Sequence, residues 1–300
     1  MLRPTIFLLL LVCSLSPCHA QTDSVPPLLA ARRGFETKLL RKMAFGEAAE
    51  TPPDGVLQLV TYTAPLGRNA AYVSPLPADG KKHPAIIWLV GGFSNSIGPV
   101  AWTPGPHKNN QSASAFRDAG IVMMYPSLRG GNDNPGVIET FYGEVDDVLA
   151  AAKSLASLEY VDTSRIYLGG HSTGGTLALL VAAAGGDLFR AVFALGPVEE
   201  VDGYGADVLP FDLGNPKEIY LRSPQRWLKD IHCPTLVFEG TTGRSNIGSL
   251  LALKKTCSNP LVQFFPVRGE DHFSEIEPVI EKLIANILAD TPKPAEPAAK

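Results

Sequence analysis

The stretch Gly170-His171-Ser172-Thr173-Gly174 sets a hydroxyl between two glycines. A serine oxygen is a weak nucleophile until a neighbouring base takes its proton, and that base needs a third group to orient it. The chain must therefore bring an imidazole and a carboxylate to the same point. A G-x-S-x-G pattern arises by accident in glycine-rich chains, so its surroundings decide. Here the apolar β-like run RIYLGG leads into Ser172 and the apolar helical run TLALLVAAA follows. A strand-to-helix turn of this kind strains its central residue, exposes the hydroxyl and aims the next N–H, that of Thr173, at the same place. The competing reading is an ordinary serine in a tight turn.

Of the six histidines, His19 lies in the N-terminal apolar segment, and His83 and His232 precede strands. His171 sits inside the turn and points away from the hydroxyl. His107 belongs to a long polar insertion. His272, in VRGEDHFSEIEP between the last strand and the last helix, stands on a loop able to deliver a base to Ser172.

The elements that must position these groups alternate. VLQLVTYTAP and NAAYVSPLP read as an opening pair of strands; PAIIWLVGG, IVMMYPS, RIYLGG, AVFALGP, TLVFEG and LVQFFPV follow, separated by helical patterns. Phe141, Val145, Val148, Ala152 and Leu155 step along one helical face. Ser274 and Glu277 are spaced as a capping box before a final helix with Ile276, Ile280, Leu283 and Ile287 on one side. The fold class is α/β, with a mostly parallel central sheet flanked by helices on both faces. Active groups in such a sheet gather at the carboxyl ends of the strands. Cys233 and Cys257 fall together at the opposite end, where an exported protein could join them as a disulfide.

GGHSTGG, the strand order and LRGGNDNPG…FYGEVDDVLAAAKSLASLEYVDTSRIYLGG together resemble the α/β-hydrolase fold, and within it the prolyl oligopeptidase catalytic domain and dienelactone hydrolase branches, from about Val56 to Leu288. The resemblance implies a serine hydrolase with His272 at the position of the catalytic histidine. It also implies an Asp soon after TLVFEG, where this chain has Gly243. Three explanations stay open. Glu239 ends the strand itself, and a charge buried there costs several kcal/mol unless it is paired, so it calls for a partner such as His272 or, structurally, Arg244 or Arg268. The acid could instead come from Glu199, Glu200, Asp202 or Asp207; Asp271 diverges from its neighbour His272. Lastly there could be no acid, with Asn246 holding the ring unless it caps a helix. Glu239 is the preferred choice, in the order Ser172…Glu239…His272.

Gly91-Gly92 ends a central strand and resembles the His-Gly-Gly turn of related esterases and peptidases, with Val90 in place of the histidine. The expected oxyanion donors are the N–H groups of Gly92 and Thr173, with Phe93 as the alternative to Gly92. Trp102 and Trp227 could wall a pocket, and Arg129 is expected to support the site.

The remaining bounds come from composition. Arg3 followed by IFLLLLVCSLSPCHA reads as a signal peptide ending at Ala20, with a lipid-bearing Cys18 as the lesser alternative. An extension over 21–55, an α/β-hydrolase domain over 56–289 and a disordered tail over 290–300 are expected to follow. The net charge of −4 and the lack of a basic run exclude a nucleic-acid partner. No stretch suits a transmembrane span, no metal-ligand spacing recurs and no cofactor is expected. No propeller is legible beside the catalytic domain, so a carboxylic ester is the expected substrate, with a small peptide or amide as the alternative. The rival expectation is a hydrolase-fold protein that binds without catalysing.

Overall fold

A computed structural model describes residues 25–291. The expected signal peptide and Cys18 lie outside them, as does nearly all of the expected tail.

Eight strands make one sheet in the order β1-β2-β4-β3-β5-β6-β7-β8. They are β1 (Gln58–Ala64), β2 (Gly67–Val73), β3 (His83–Leu89), β4 (Val122–Pro126), β5 (Val161–His171), β6 (Ala191–Leu195), β7 (Thr235–Gly240) and β8 (Val262–Val267). The first hairpin and its junction with β4 are antiparallel and every later pairing is parallel. The continuous apolar runs of β3 and β4 are buried on both faces because helices cover both. Ala85, Ile87 and Leu89 pack on one side with α3 (Gly143–Ala156) and α4 (Thr173–Gly185). Ile86 and Trp88 pack on the other with Phe116 of α2 (Ala115–Asp118) and with α7 (Ile276–Ala289). This alternation follows from the two-residue period of a strand. Helix α4, apolar on all sides, is buried from Thr173 to Ala184.

The chain runs from β3 outward to β4 and then returns across β3 to β5, so the winding reverses between β3 and β5. The carboxyl ends of those two strands carry Gly91-Gly92 and Ser172 respectively. A crevice opens at such a reversal because the flanking connections leave in opposite directions.

Several expectations need correction. The capping box does not form: Ser274 Oγ accepts from the Asp271 N–H at 2.9 Å, and Asp271 Oδ1 accepts from the N–H groups of Phe273 and Ser274. Glu277 instead pairs with exposed His107. Phe141 lies outside α3 with φ 64°. The disulfide is absent: both thiols are free, Cys233 Sγ facing Thr235 Oγ1 and Cys257 Sγ facing the Asn259 carbonyl, so the side chains are committed to different partners. The tail's first residue is anchored, since Asp290 accepts from Tyr167 Oη at 2.6 Å and pairs with Arg190 at 2.7 Å.

The extension before residue 56 is docked on the domain. Within α1 (Pro27–Arg32), Leu28 is buried in the core beside α4 and Arg32 pairs with Asp146 at 2.6 Å. Leu39 forms a bridge to Phe211. Thr37 Oγ1 donates to Glu218 of α5 (Pro216–Arg222), and fully buried Glu218 is the ion-pair partner of fully buried Arg222.

Candidate active site

Ser172 has φ 57° and ψ −118°, a conformation that a side chain makes costly and that only surrounding structure can enforce. The enforcement is visible. The Ser172 N–H donates to the Leu195 carbonyl at 2.7 Å, and the Ser172 carbonyl accepts from the Thr176 N–H at 3.0 Å as α4 begins. Gly174 explains the second glycine of the motif: a Cβ there would lie 2.1 Å from the Leu89 carbonyl oxygen, so only glycine lets α4 start this close to β3. The Thr173 N–H, in the first turn of α4, has no partner further back in the helix and sits at its positive dipole end.

Gly91 packs against the serine, a Cβ there lying 3.1 Å from Ser172 Cβ. Its N–H donates to Gln111 Oε1 at 3.1 Å and so is already used. Gly92 follows with φ 107° and is exposed, and its carbonyl accepts from Thr173 Oγ1 at 2.6 Å. That bond ties together the two segments expected to supply oxyanion donors. Phe93 packs edge-on against Tyr204, with ring centroids 5.2 Å apart.

His272 arrives from the β8–α7 loop as expected. Its Nδ1 lies 3.3 Å from Glu239 Oε2, and Glu239 is fully buried at the end of β7. Of the acids weighed, Glu239 is the one that meets the imidazole. It forms no ion pair with Arg244 or Arg268, Glu200 pairs with Arg226, and Asp202 and Asp207 are exposed. Asp271 spends Oδ1 on its own turn; those backbone N–H donors, that of Ser274 first, hold its carboxyl below the usual range.

The serine and the imidazole meet around β6. The Leu195 carbonyl holds the Ser172 N–H, and the next residue, Gly196, lies under the His272 ring; a Cβ on Gly196 would sit 2.5 Å from His272 Cε1 and 3.3 Å from Glu239 Oε2. Among the described residues, Ser172 Oγ and His272 Nε2 make no hydrogen bond to each other or to other groups. Such contacts are often long in an empty site and close when substrate arrives.

Three supports were not legible beforehand. His171 is fully buried, and its Nε2 lies 2.7 Å from the His272 carbonyl. Burial, with the neighbouring His272, lowers its pKa to about 3, so the ring is neutral and Nε2–H donates. Asn246 does not cap α6 (Ile247–Thr256); its Nδ2 donates to the Gly196 carbonyl at 3.0 Å. Gly196 itself has φ 64°. A signal for Gly196 was present in the Gly-Pro that ends AVFALGP, directly after a buried strand.

Arg129 supports the site at one remove. Its guanidinium donates to Asp147 at 3.0 and 2.9 Å and pairs with Glu139 at 3.2 Å. Glu144 accepts the N–H groups of Glu139, Thr140 and Tyr142. Together these fix the turn that brings Phe141 against Tyr204. Trp102 and Trp227 are packing residues: Trp102 stacks edge-on with Tyr72, and Trp227 is buried in the core. A cavity of about 70 Å³ lies beside Gly92, Phe93 and Thr173. It is well below the ~300 Å³ of ordinary ligand pockets. Among the described residues, no cluster of three or more His, Cys, Asp or Glu could hold a metal ion, and no helix is long and apolar enough to cross a membrane.

Residues 107–243 match the model of the prolyl oligopeptidase family. A protein described as Protease 2 from Moraxella lacunata is 24% identical over 184 residues, which is 56% of this chain and 27% of that protein. The chain thus spans about a quarter of the length of that curated relative. Among solved structures, a puromycin-hydrolyzing peptidase of Mycobacterium tuberculosis has a TM-score of 0.61 at 20% identity, over 80% of this chain and 40% of that one. Est1E from Butyrivibrio proteoclasticus has a TM-score of 0.56 at 18% identity, over 77% of this chain and 97% of that one. The structural likenesses show an α/β-hydrolase fold, and the likeness to the prolyl oligopeptidase family lies in the central segment, residues 107–243.

Proposed function

We propose that this protein is a serine hydrolase acting by acyl transfer. Ser172 attacks a carbonyl carbon while His272 Nε2 takes the hydroxyl proton; His272 returns that proton to the leaving group, and water then releases the acyl group from Ser172 by the same route. Glu239 holds Nδ1–H and stabilises the imidazolium. The N–H groups of Gly92 and Thr173 receive the developing oxyanion. The observation that carries this reading is the contact of Glu239 Oε2 with His272 Nδ1 directly above Gly196, beside a serine held at φ 57°.

The substrate proposed is a small carboxylic ester. A short peptide is the second reading, favoured by the likeness to the prolyl oligopeptidase family and to Protease 2 of Moraxella lacunata. Export to the periplasm or medium is proposed from the Arg3–Ala20 pattern.

A fluorophosphonate probe tests the mechanism. Wild-type protein should be labelled and Ser172→Ala should not; a wild type as inert as Ser172→Ala would favour the non-catalytic binding protein. An ester and peptide panel run on the labelled form then separates the two substrate readings.

A further inference from the structure

Glu239 uses one carboxylate oxygen on His272, and the other, Oε1, is buried without a hydrogen-bond partner. The turn packed against the end of β7 carries a second buried carboxyl that the mechanism leaves unused. Glu275 is fully buried, and neither of its oxygens has a partner. Three buried carboxyl oxygens without donors thus belong to two residues, one at the end of β7 and one on the turn packed against that end. Such atoms are rare in a folded protein because each loses its bonds to water and gains nothing. Two ionised carboxylates side by side in a buried site would compound the cost.

The backbone brings the two segments together. The end of β7 abuts the 270–275 turn so closely that a Cβ on Gly240 would lie 2.5 Å from the carbonyl oxygens of Glu270 and Asp271. The N–H groups of Thr241 and Thr242 donate to the Glu270 carbonyl at 2.8 and 2.9 Å. The Glu275 N–H donates back to the Asp271 carbonyl at 3.2 Å, which turns residue 275 inward three positions after His272.

We propose that Glu275 is a neutral carboxylic acid that donates its hydrogen to Glu239 Oε1, and so serves as the positioning residue of the triad. The proton stays on Glu275 throughout the cycle. Glu239 keeps its single negative charge, fixed with Oε2 toward His272 Nδ1. The surroundings are consistent with this protonation state: burial first, then the charges of Glu239, Asp271 and Glu270, push Glu275 up to about 10.

This inference rests on Glu239 as the triad acid, so its test includes a readout independent of turnover. Infrared spectra of wild type at neutral pH should show the carbonyl stretch of a protonated carboxylic acid that is missing from Glu275→Gln. Glu275→Gln, whose amide N–H also donates, should keep kcat within about threefold of wild type. Glu275→Leu, which has no donor, should lower it by about tenfold or more, the scale of a lost hydrogen bond to a charge. Absence of the infrared band in wild type would overturn the proposal even if Ser172 labels normally. So would a Glu275→Leu enzyme with wild-type kcat, or a folded Glu275→Gln enzyme as impaired as Glu275→Leu. If Glu275→Leu does not fold, the infrared comparison decides alone. Conversely, a wild type inert to the fluorophosphonate probe would sink the serine hydrolase reading and leave the infrared result intact.

Discussion

The ring of His171 holds the backbone of His272: Nε2 lies 2.7 Å from the His272 carbonyl oxygen, and the two rings lie 4.6 Å apart between centroids. One residue thus precedes Ser172 in the chain and fixes the proposed base in space. Replacing it by leucine keeps bulk and removes the donor. His171→Leu should lower kcat by about tenfold with little change in KM, because only the placement of His272 suffers. The pH dependence supplies a second check. The folded His171 titrates near 3, below the ordinary value of 6.5. As pH falls below the ordinary value, the unfolded chain takes up a proton that the folded chain refuses, so stability is lost from there toward pH 3. Denaturant unfolding of His171→Leu should show a shallower acid loss than wild type.

Gly196 is the floor on which His272 rests. A methyl group there would meet Cε1 at 2.5 Å and Nδ1 at 2.8 Å, and the residue's φ of 64° already disfavours a side chain. Gly196→Ala should shift the imidazole by a large fraction of an ångström. A displacement of that order costs about 100-fold in rate. The strained backbone should cost a further 1–3 kcal/mol of stability, roughly. Steady-state turnover and thermal melting of this single variant check both. A variant with wild-type kcat would show that the base does not work from the position it holds here.

What could be read in the sequence, and what could not, divides along physical lines. Period and punctuation revealed the alternating sheet, the strand that ends in Gly91-Gly92 and the turn at Ser172, because each is a local pattern. The placement of His272 followed from topology, since a histidine after the last strand must lie at the carboxyl edge. Glu239 followed from burial, because a charge ending an apolar strand needs a partner. The supports failed to show because they depend on contacts between distant segments. Nothing near Asn246 announces the Gly196 carbonyl 50 residues earlier. Glu275 reads as one polar residue before an amphipathic helix, and its burial comes from the β7 edge lying against its turn. The capping box misled for the same reason: the Ser274 hydroxyl accepts from the Asp271 N–H instead of the Glu277 N–H it was expected to serve. The cysteines shared an end of the sheet, but a common edge does not fix the direction of a thiol.

The raised Glu275 has an effect on stability opposite in sign to that of His171. Below about 4.5, its ordinary value, folded and unfolded chains both hold the proton. Above that the unfolded chain releases it while the folded chain keeps it until about 10, so stability declines across this window as pH rises. The charges facing the group are Glu239 on β7 and Glu270 and Asp271 on the loop, all of which oppose its ionisation. Glutamine cannot ionise, so the gap in unfolding free energy between Glu275→Gln and wild type should widen in favour of the variant between about pH 5 and pH 9. Two stability profiles that run parallel over that range would contradict the raised value.

The strain at Ser172 predicts a conflict between stability and activity. Its φ of 57° with ψ −118° suits glycine and penalises any residue with a Cβ. Ser172→Ala and Ser172→Gly both remove the nucleophile, so both should be inactive and unlabelled. They differ in what happens to the backbone. Alanine retains the Cβ and the strain, whereas glycine relieves it and should be the more stable of the two by about 1 kcal/mol, net of glycine's greater freedom in the unfolded chain. Chemical denaturation of the pair measures the difference directly, with neither protein's activity entering the comparison. Equal midpoints would mean that the turn accommodates a side chain without cost. The placement of the hydroxyl would then need another cause than the bonds at Leu195 and Thr176 that now enforce it.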